Sequence, residues 1–508
     1  MNEWRTPQSP RTVPLVVAAL ALLSTPADGQ EVAEVPRIEK AECVTEALVE
    51  ANADCYMFFG QEDRDNPGGT IVELPVAVLV PATGIQNSDP VFFFPGGPGG
   101  SPMPYAGRME EIGDRTLVLI EHRGFVHAKP ELSCPGLRLS PFFNQLSPVI
   151  VSSTDTMERL RIHAESVEEC YAKLVSEGVN VRKYNGYDVA RDVDEIRTLL
   201  GYDKINIYGS SAGGGGVISY LRYFPDSVRS MVLGWPWYGE YRDRAAIDEY
   251  HTIKQKYTDI LGICVAEDPR CRRLLPSWYY EIDRARRALD EKPFLKVVET
   301  KDGKKRTLSF DGVALMGTIY QRFEDVYAKL PNVLSRIQKG DHSALDDFFM
   351  TERWSDASQR WSDGGLASMS YGYYLAHICG GMGTNRPKKE DVFAMLEREP
   401  ALLGFEDNKI CAWWGSDGAV PPEHRDRFKS DVPALSLHGQ VDSCCGIRWG
   451  HYVARTMPNL QLVELQGLGH GVPGPCRDKL ISSFLDDPYA QVDDSCKNDV
   501  PLGPWVFE

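Results

Sequence analysis

The sequence predicts an α/β protein: a mostly parallel central sheet with helices on both faces, interrupted late by a mainly helical insertion. Three observations carry this. Apolar runs of strand length alternate with helix-spaced segments between residues 71 and 233, the pattern of parallel strands joined by helical crossovers. After Gly234 the runs give way to amphipathic helices rich in tyrosine and tryptophan, and strand signals return at Ala434–Leu437 and Leu460–Leu465. Between the two regimes, INIYGSSAGGGGVISYLRYFP, residues 205–225, sets two serines and four consecutive glycines between a strand and a helix.

In chain order, Arg5 and Arg11 precede an apolar run, Val13–Leu23, followed by Ala27-Asp28-Gly29. Basic residues, an apolar run about half the length a bilayer needs, and small residues before the cut predict a signal peptide over 1–29 and an exported protein, periplasmic or secreted. No later segment is apolar enough for a membrane span. Strands are expected at Ile71–Val80, Val91–Phe94 and Thr116–Glu121, then a helix over Tyr187–Leu200 with apolar residues at 189, 193, 196, 199 and 200. A strand at Ile205–Tyr208, a helix from Val217 to Phe224 stopped by Pro225, and a strand at Val228–Leu233 follow. The predicted organisation is a core over 30–234, a helical cap over 235–405 containing a charged hairpin-like stretch at Lys301–Lys305, and a returning core over 406–508.

Bulk properties narrow the functions. A chain of 508 residues suits a core domain with a large insertion. A formal net charge of −17 argues against nucleic acid or anionic membrane as a partner. The 12 cysteines, all beyond the predicted leader, suit an oxidising compartment. No C-x-x-C occurs and the histidines show no zinc spacing, so no metal site is expected. Cys43 with Cys55, Cys134 with Cys170, Cys264 with Cys271 and Cys379 with Cys411 are expected as disulfides, with Cys444, Cys445, Cys476 and Cys496 pairing among themselves.

The serine pair is resolved by sterics. A serine on a sharp strand-to-helix turn tolerates only small residues two before and two after it, the G-x-S-x-G pattern. Centred on Ser211 the flanks are Gly209 and Gly213; centred on Ser210 they are Tyr208 and Ala212, and the tyrosine does not fit. A serine hydroxyl needs a general base held by a third group. His470 follows a late strand in the small-residue loop GLGHGV, and Asp442 ends the preceding strand in ALSLHGQVD, with Asp417 the weaker choice of acid and His438 a structural residue. A tetrahedral intermediate needs N–H donors; FFFPGGPGGS, residues 92–101, offers Gly96 or Gly97, and Ala212 follows the nucleophile.

With these residues assembled, the chain resembles the prolyl iminopeptidase and tripeptidyl aminopeptidase branch of the α/β-hydrolases. The matching stretches are PGGPGGS, EHRGFVHAKPELSCP, DVARDVDEIRTLLGYDKINIYGSSAGG, YFPDSVRSMVL and GLGHGV, with weaker matches in LSFDGVALMGTIYQRF and IQKGDHSALDDFF. The resemblance implies an α/β-hydrolase fold, Ser211 as nucleophile, Asp442 as acid, His470 as base, a substrate-selecting cap and no cofactor. It implies removal of amino-terminal residues or short peptides. Departures are Glu121-His122-Arg123-Gly124 in place of Asp-Gln-Arg-Gly, Ala212 and a glycine run after the nucleophile, and LGWPWYGEY after the strand ending at Leu233. Glu240 is the sequence candidate for binding the substrate's amine, and cap aromatics such as Trp235, Tyr238, Tyr371 and Tyr373 are candidates for an apolar acyl pocket. The readings in play are an exported aminopeptidase, an esterase or amidase on a non-peptide substrate, and a silent binding protein on the same scaffold.

Overall fold

A computed structural model describes residues 34–81, 89–97, 99–107, 110–134, 153–237, 245–299, 305–343, 345–349, 370–381, 388–398, 407–415, 420–426, 429–442 and 445–507. The predicted signal peptide over 1–29 lies outside them, as do Glu240, Tyr238, Asp417 and Cys444.

The strands are β1 (Arg37–Lys40), β2 (Asp54–Gln61), β3 (Ile71–Leu79), β4 (Val91–Phe94), β5 (Leu117–Ile120), β6 (Ile205–Ser210), β7 (Val228–Gly234), β8 (Phe294–Glu299), β9 (Lys305–Phe310), β10 (Ala434–Gly439) and β11 (Leu460–Leu465). Nine of them form one sheet in the order β1-β2-β3-β5-β4-β6-β7-β10-β11. From β5 to β11 the neighbours run parallel, and β1, β2 and β3 complete one edge antiparallel. Parallel strands buried on both faces read as continuous apolar runs, and β4 (VFFF) and β5 (LVLI) are buried at every position.

Alternation sends successive side chains to opposite faces. Phe92, Phe94, Ile205 and Ile207 pack with Val189, Val193 and Ile196 of α3 (Gly186–Leu199). Phe93, Tyr208 and Val232 face the other way, onto Leu480, Ile481 and Phe484 of the helix Pro475–Asp486. Each such side chain contributes about 1.5–3 kcal/mol on burial. The α3 helix starts where Asn185 accepts the Asp188 N–H at 3.0 Å, a side-chain N-cap.

Between β7 and β10 the chain is mainly helical. It contains α5 (Ala245–Glu267), α7 (Glu281–Glu291), α8 (Gly312–Val326), α9 (Leu330–Gln338) and the helix Tyr371–Gly381. The expected hairpin is there as the antiparallel pair β8–β9 flanking residues 300–304. Before it run α1 (Glu46–Glu50), α2 (Ser153–Ser176), α3 and α4 (Gly213–Tyr223); α6 is Pro269–Leu274 and α10 is Leu345–Phe349. Among the described residues no helix is long and apolar enough to cross a membrane.

Among the described residues five disulfides close loops: Cys43–Cys55, Cys134–Cys170, Cys264–Cys271, Cys379–Cys411 and Cys476–Cys496. The first four match the expectation. Of the last group, Cys476 pairs with Cys496 as expected, Cys444 lies outside the described residues, and Cys445 is buried. Its main chain is committed to the Asp442 turn, described below.

Candidate active site

The parallel registers bring the candidate loops to the carboxyl end of the sheet. Ser210 pairs with Gly234, and Leu437 pairs with the same Gly234 from the other side; Gly439 pairs with Leu465. Ser211, Asp442 and His470 therefore all follow the carboxyl ends of neighbouring strands, where open α/β sheets place their ligands.

Ser211 sits at φ 52°, a left-handed backbone conformation that non-glycine residues rarely adopt. Main-chain bonds pin it: its N–H donates to Gly234 O at 2.8 Å, and Trp237 N donates to Ser211 O at 2.9 Å. Small neighbours are obligatory. A Cβ at Gly213 would lie 2.1 Å from Phe94 O, one at Gly209 would lie 2.6 Å from Gly213 O, and one at Gly96 would lie 2.7 Å from the Ser211 Cβ. The expected helix from Val217 begins earlier, at Gly213, because this first turn must press against β4.

Ala212 caps α4, so its N–H belongs to the unsatisfied first turn of a helix. Gly97 lies opposite in a tight turn at φ 62°, closed by Gly100 N donating to Gly97 O at 2.7 Å. Among the described residues neither the Ala212 nor the Gly97 N–H has an acceptor. These are donors that an oxyanion can use. The turn is braced from below: Ser101 Oγ donates to Glu121 Oε2 at 2.7 Å, and His127 N donates to Glu121 Oε1 at 3.2 Å. Burial pushes the Glu121 carboxyl up to about 7, partly offset by those two hydrogen bonds.

Asp442 is fully buried. Its Oδ2 lies 2.9 Å from His470 Nδ1, and its Oδ1 accepts the Cys445 N–H at 2.9 Å. Burial opposes ionisation, yet His470, Lys256 and the Cys445 N–H together hold the carboxyl below the usual carboxylate range. A buried carboxylate on Nδ1 fixes the tautomer that leaves Nε2 to accept a proton. Sulfur, carboxylate oxygen and imidazole nitrogen of Cys445, Asp442 and His470 lie within 4.8 Å of one another, a spacing compatible with metal ligation. Both carboxylate oxygens are already engaged by hydrogen bonds, one with His470 and one from the Cys445 N–H. His438 is a structural residue: its ring nitrogens meet Ser436 Oγ at 2.8 Å and Cys445 O at 3.0 Å, and burial lowers it to about 4.

Three groups went unread in the sequence. Glu324 of α8 accepts the His470 N–H, and Lys256 of α5 donates to Asp442 O. Arg123 of the EHRG stretch is fully buried and forms a bidentate pair with Asp192 at 2.6 and 2.7 Å, which makes that motif a structural tie. Of the cap aromatics, Trp235, Tyr371 and Tyr374 are buried in the core. Tyr373 lines a cavity of about 20 Å³, room for one water, together with His122, His377, Pro95, Ala212 and Gly213. Burial holds His122 neutral, at about 3.

Fold and site together define a serine hydrolase of the α/β-hydrolase class, a peptidase or an esterase. The comparisons refine this. The alpha/beta hydrolase fold family matches residues 89–237, and the TAP-like protein family matches residues 404–496. The chain is 26% identical over 452 residues to a tripeptidyl aminopeptidase of Streptomyces lividans, covering 83% of this chain and 79% of that protein. It is 28% identical over 231 residues to the serine protease Hip1 of Mycobacterium tuberculosis, covering 43% of this chain and 42% of that one. The crystal structure of a proline iminopeptidase from Mycobacterium smegmatis aligns at 13% identity with a TM-score of 0.35, covering 82% of this chain and 96% of that chain.

Proposed function

We propose that the protein is an exported aminopeptidase that releases amino-terminal residues or short peptides through an acyl-enzyme on Ser211. The observation that carries this reading is the buried Asp442 carboxylate on His470 Nδ1 at the carboxyl end of the sheet, where the positive-φ Ser211 turn opens. The similarity to tripeptidyl aminopeptidases over most of the chain supports the peptidase class, and the five disulfides suit an exported protein.

In this mechanism His470 Nε2 takes the Ser211 proton as Oγ attacks the scissile carbonyl carbon. The oxygen of the tetrahedral intermediate is received by the N–H groups of Ala212 and of Gly97 or Gly96. Asp442 keeps Nδ1 protonated and stabilises the imidazolium. His470 then returns the proton to the leaving amine, and the C–N bond breaks. Water, deprotonated by the same imidazole, releases the acyl group and regenerates Ser211. The amine-binding role assigned to Glu240 remains part of this proposal.

Two assays test it. Ser211→Ala should abolish turnover and fluorophosphonate labelling, several orders of magnitude in rate, while Ser210→Ala keeps labelling. Acetylating the amino terminus of a short chromogenic amide should lower kcat/KM at least tenfold, about 1.4 kcal/mol. Indifference to acetylation, or cleavage of a simple aryl ester without any amide cleavage, would favour an esterase instead.

A further inference from the structure

Two residues of the helical insertion hold the loops that carry the acid and the base, and the reaction as written above does not use them. Lys256, on α5, donates from Nζ to the main-chain oxygens of Asp442 at 2.5 Å and Gly439 at 3.3 Å. It lies so close to this loop that a Cβ at Gly446 would come within 2.8 Å of Nζ. Glu324, half-buried on α8, accepts the His470 N–H through Oε1 at 2.5 Å. A Cβ at Gly469 would collide with its Oε2 at 2.1 Å. The contacts are complementary: a cation on the carbonyls of the acid loop, an anion on the amide of the histidine loop. Both are charge-assisted hydrogen bonds, the stronger kind.

Asp442 and His470 stand three and five residues beyond the ends of β10 and β11. Loops at that distance from the sheet are the more mobile parts of a fold, and a catalytic group displaced by about 1 Å can lose roughly 10²-fold in rate. Resting on the Ser211–His470–Asp442 reading, we propose that Lys256 and Glu324 are positioning residues, an ion clamp through which the insertion assembles the acid–base pair.

The clamp also places opposite charges around the imidazole. Among the described residues, the titratable groups around the pair are Asp442, Glu324, Lys256 and Cys445. Behind them lie Asp325 beside Glu324 on α8, His438 on β10, Glu464 on β11 and His451 on the helix Arg448–Ala454. Burial raises the Glu324 carboxyl above its ordinary value; the His470 N–H and the imidazole charge pull it back, and Asp442 pushes it further up. Glu324 therefore attracts an imidazolium at His470, so removing its charge frees the base at lower pH. Lys256 favours the Asp442 carboxylate and, as a cation, opposes the imidazolium, so its loss frees the base only at higher pH.

The experiment compares the full-length protein with Glu324→Gln, Lys256→Gln, Glu324→Ala, Lys256→Met and His470→Ala. An activated aryl ester and the chromogenic amide serve as substrates, and circular dichroism reports the fold of each variant. The two glutamine variants keep a hydrogen-bonding group and lose the charge. They should retain most of the rate, with the acid limb of kcat/KM moved to lower pH for Glu324→Gln and to higher pH for Lys256→Gln. The truncations should lose at least tenfold in kcat with KM changed less than about threefold. A purely architectural role would move neither limb. Superimposable pH profiles for wild type and both glutamine variants, or full kcat in folded truncations, overturn the clamp. In that case an inactive His470→Ala leaves the triad reading standing, whereas an active His470→Ala overturns both. If a truncation does not fold, the opposed shifts of the glutamine pair decide.

Discussion

The two halves of the candidate site are held by different means. Around Ser211 the contacts are main chain on main chain: a Cβ at Gly213 or Gly209 would run into the carbonyls of Phe94 or Gly213, and the Ser211 amide is tied to Gly234 O. Around Asp442 and His470 the holding groups are charged side chains from the insertion, Lys256 and Glu324. In the first half Gly96, Gly209 and Gly213 have no room for an added Cβ. In the second half the proposed clamp predicts that a change of charge at kept shape moves the pH dependence. Geometry is thus fixed locally at Ser211 and by residues distant in sequence at His470.

Within the second half the largest expected effect comes from Asp442. Asp442→Asn keeps an acceptor for the Cys445 N–H but no longer holds His470 in the productive tautomer. Turnover should fall by about 10²–10⁴ with the circular dichroism spectrum unchanged. If Asp442→Asn retained wild-type kcat/KM, this pair would not be the acid–base element and the comparison would collapse to one half. In the first half Gly213→Ala adds a single methyl where Phe94 O stands 2.1 Å away. Overpacking of this kind costs about 1–3 kcal/mol, and thermal melting should show it together with lost fluorophosphonate labelling. A Gly213→Ala protein that melts and labels like wild type would mean that the elbow can relax, and that the two halves are less different than their contacts suggest.

The same contrast explains what the sequence could show. The elbow is encoded within a dozen residues, because the steric demand acts between near neighbours; Gly209, Ser211 and Gly213 name themselves. The strands from β4 to β7 were legible as apolar runs because both faces of a parallel sheet are covered. His470 and Asp442 were found by order along the chain and by loop composition, and their hydrogen bond of 2.9 Å joins residues far apart in sequence. Lys256 and Glu324 carried no signal: each sits in an ordinary amphipathic helix, and the stretch of α8 that resembled the family ends at Phe323, one residue before the glutamate that matters. The antiparallel edge β1–β2 also went unread, since β1 is a short charged segment, RIEK, and β2 mixes buried with partly buried positions without a continuous apolar run. Arg123 and Asp192 were each quoted within a family-like stretch, but only the fold brings them together.

Glu121 offers the smallest and sharpest test, because here a titratable side chain reaches the main-chain half. Its carboxyl accepts the Ser101 hydroxyl and the His127 N–H beneath the glycine turn, and burial pushes it up from 4.5 to about 7. A group whose folded value is raised binds a proton in the native state that the unfolded chain has already released. Its contribution to stability is full below about pH 4.5 and is lost as pH rises through about 7. Glu121→Gln is neutral throughout and retains an acceptor for Ser101. The variant's melting temperature relative to wild type should therefore climb between pH 5 and pH 8, by an amount corresponding to roughly 1–3 kcal/mol at the upper end. The other buried carboxyls raised by desolvation, Glu62, Glu111 and Asp188, are common to both proteins and cancel in the difference. Parallel curves across that range would show that Glu121 is ionised well below neutrality, and that charge is tolerated beneath the oxyanion turn. Divergent curves would tie alkaline loss of stability to the Ser211 half, while the proposed clamp acts on the acid limb through His470.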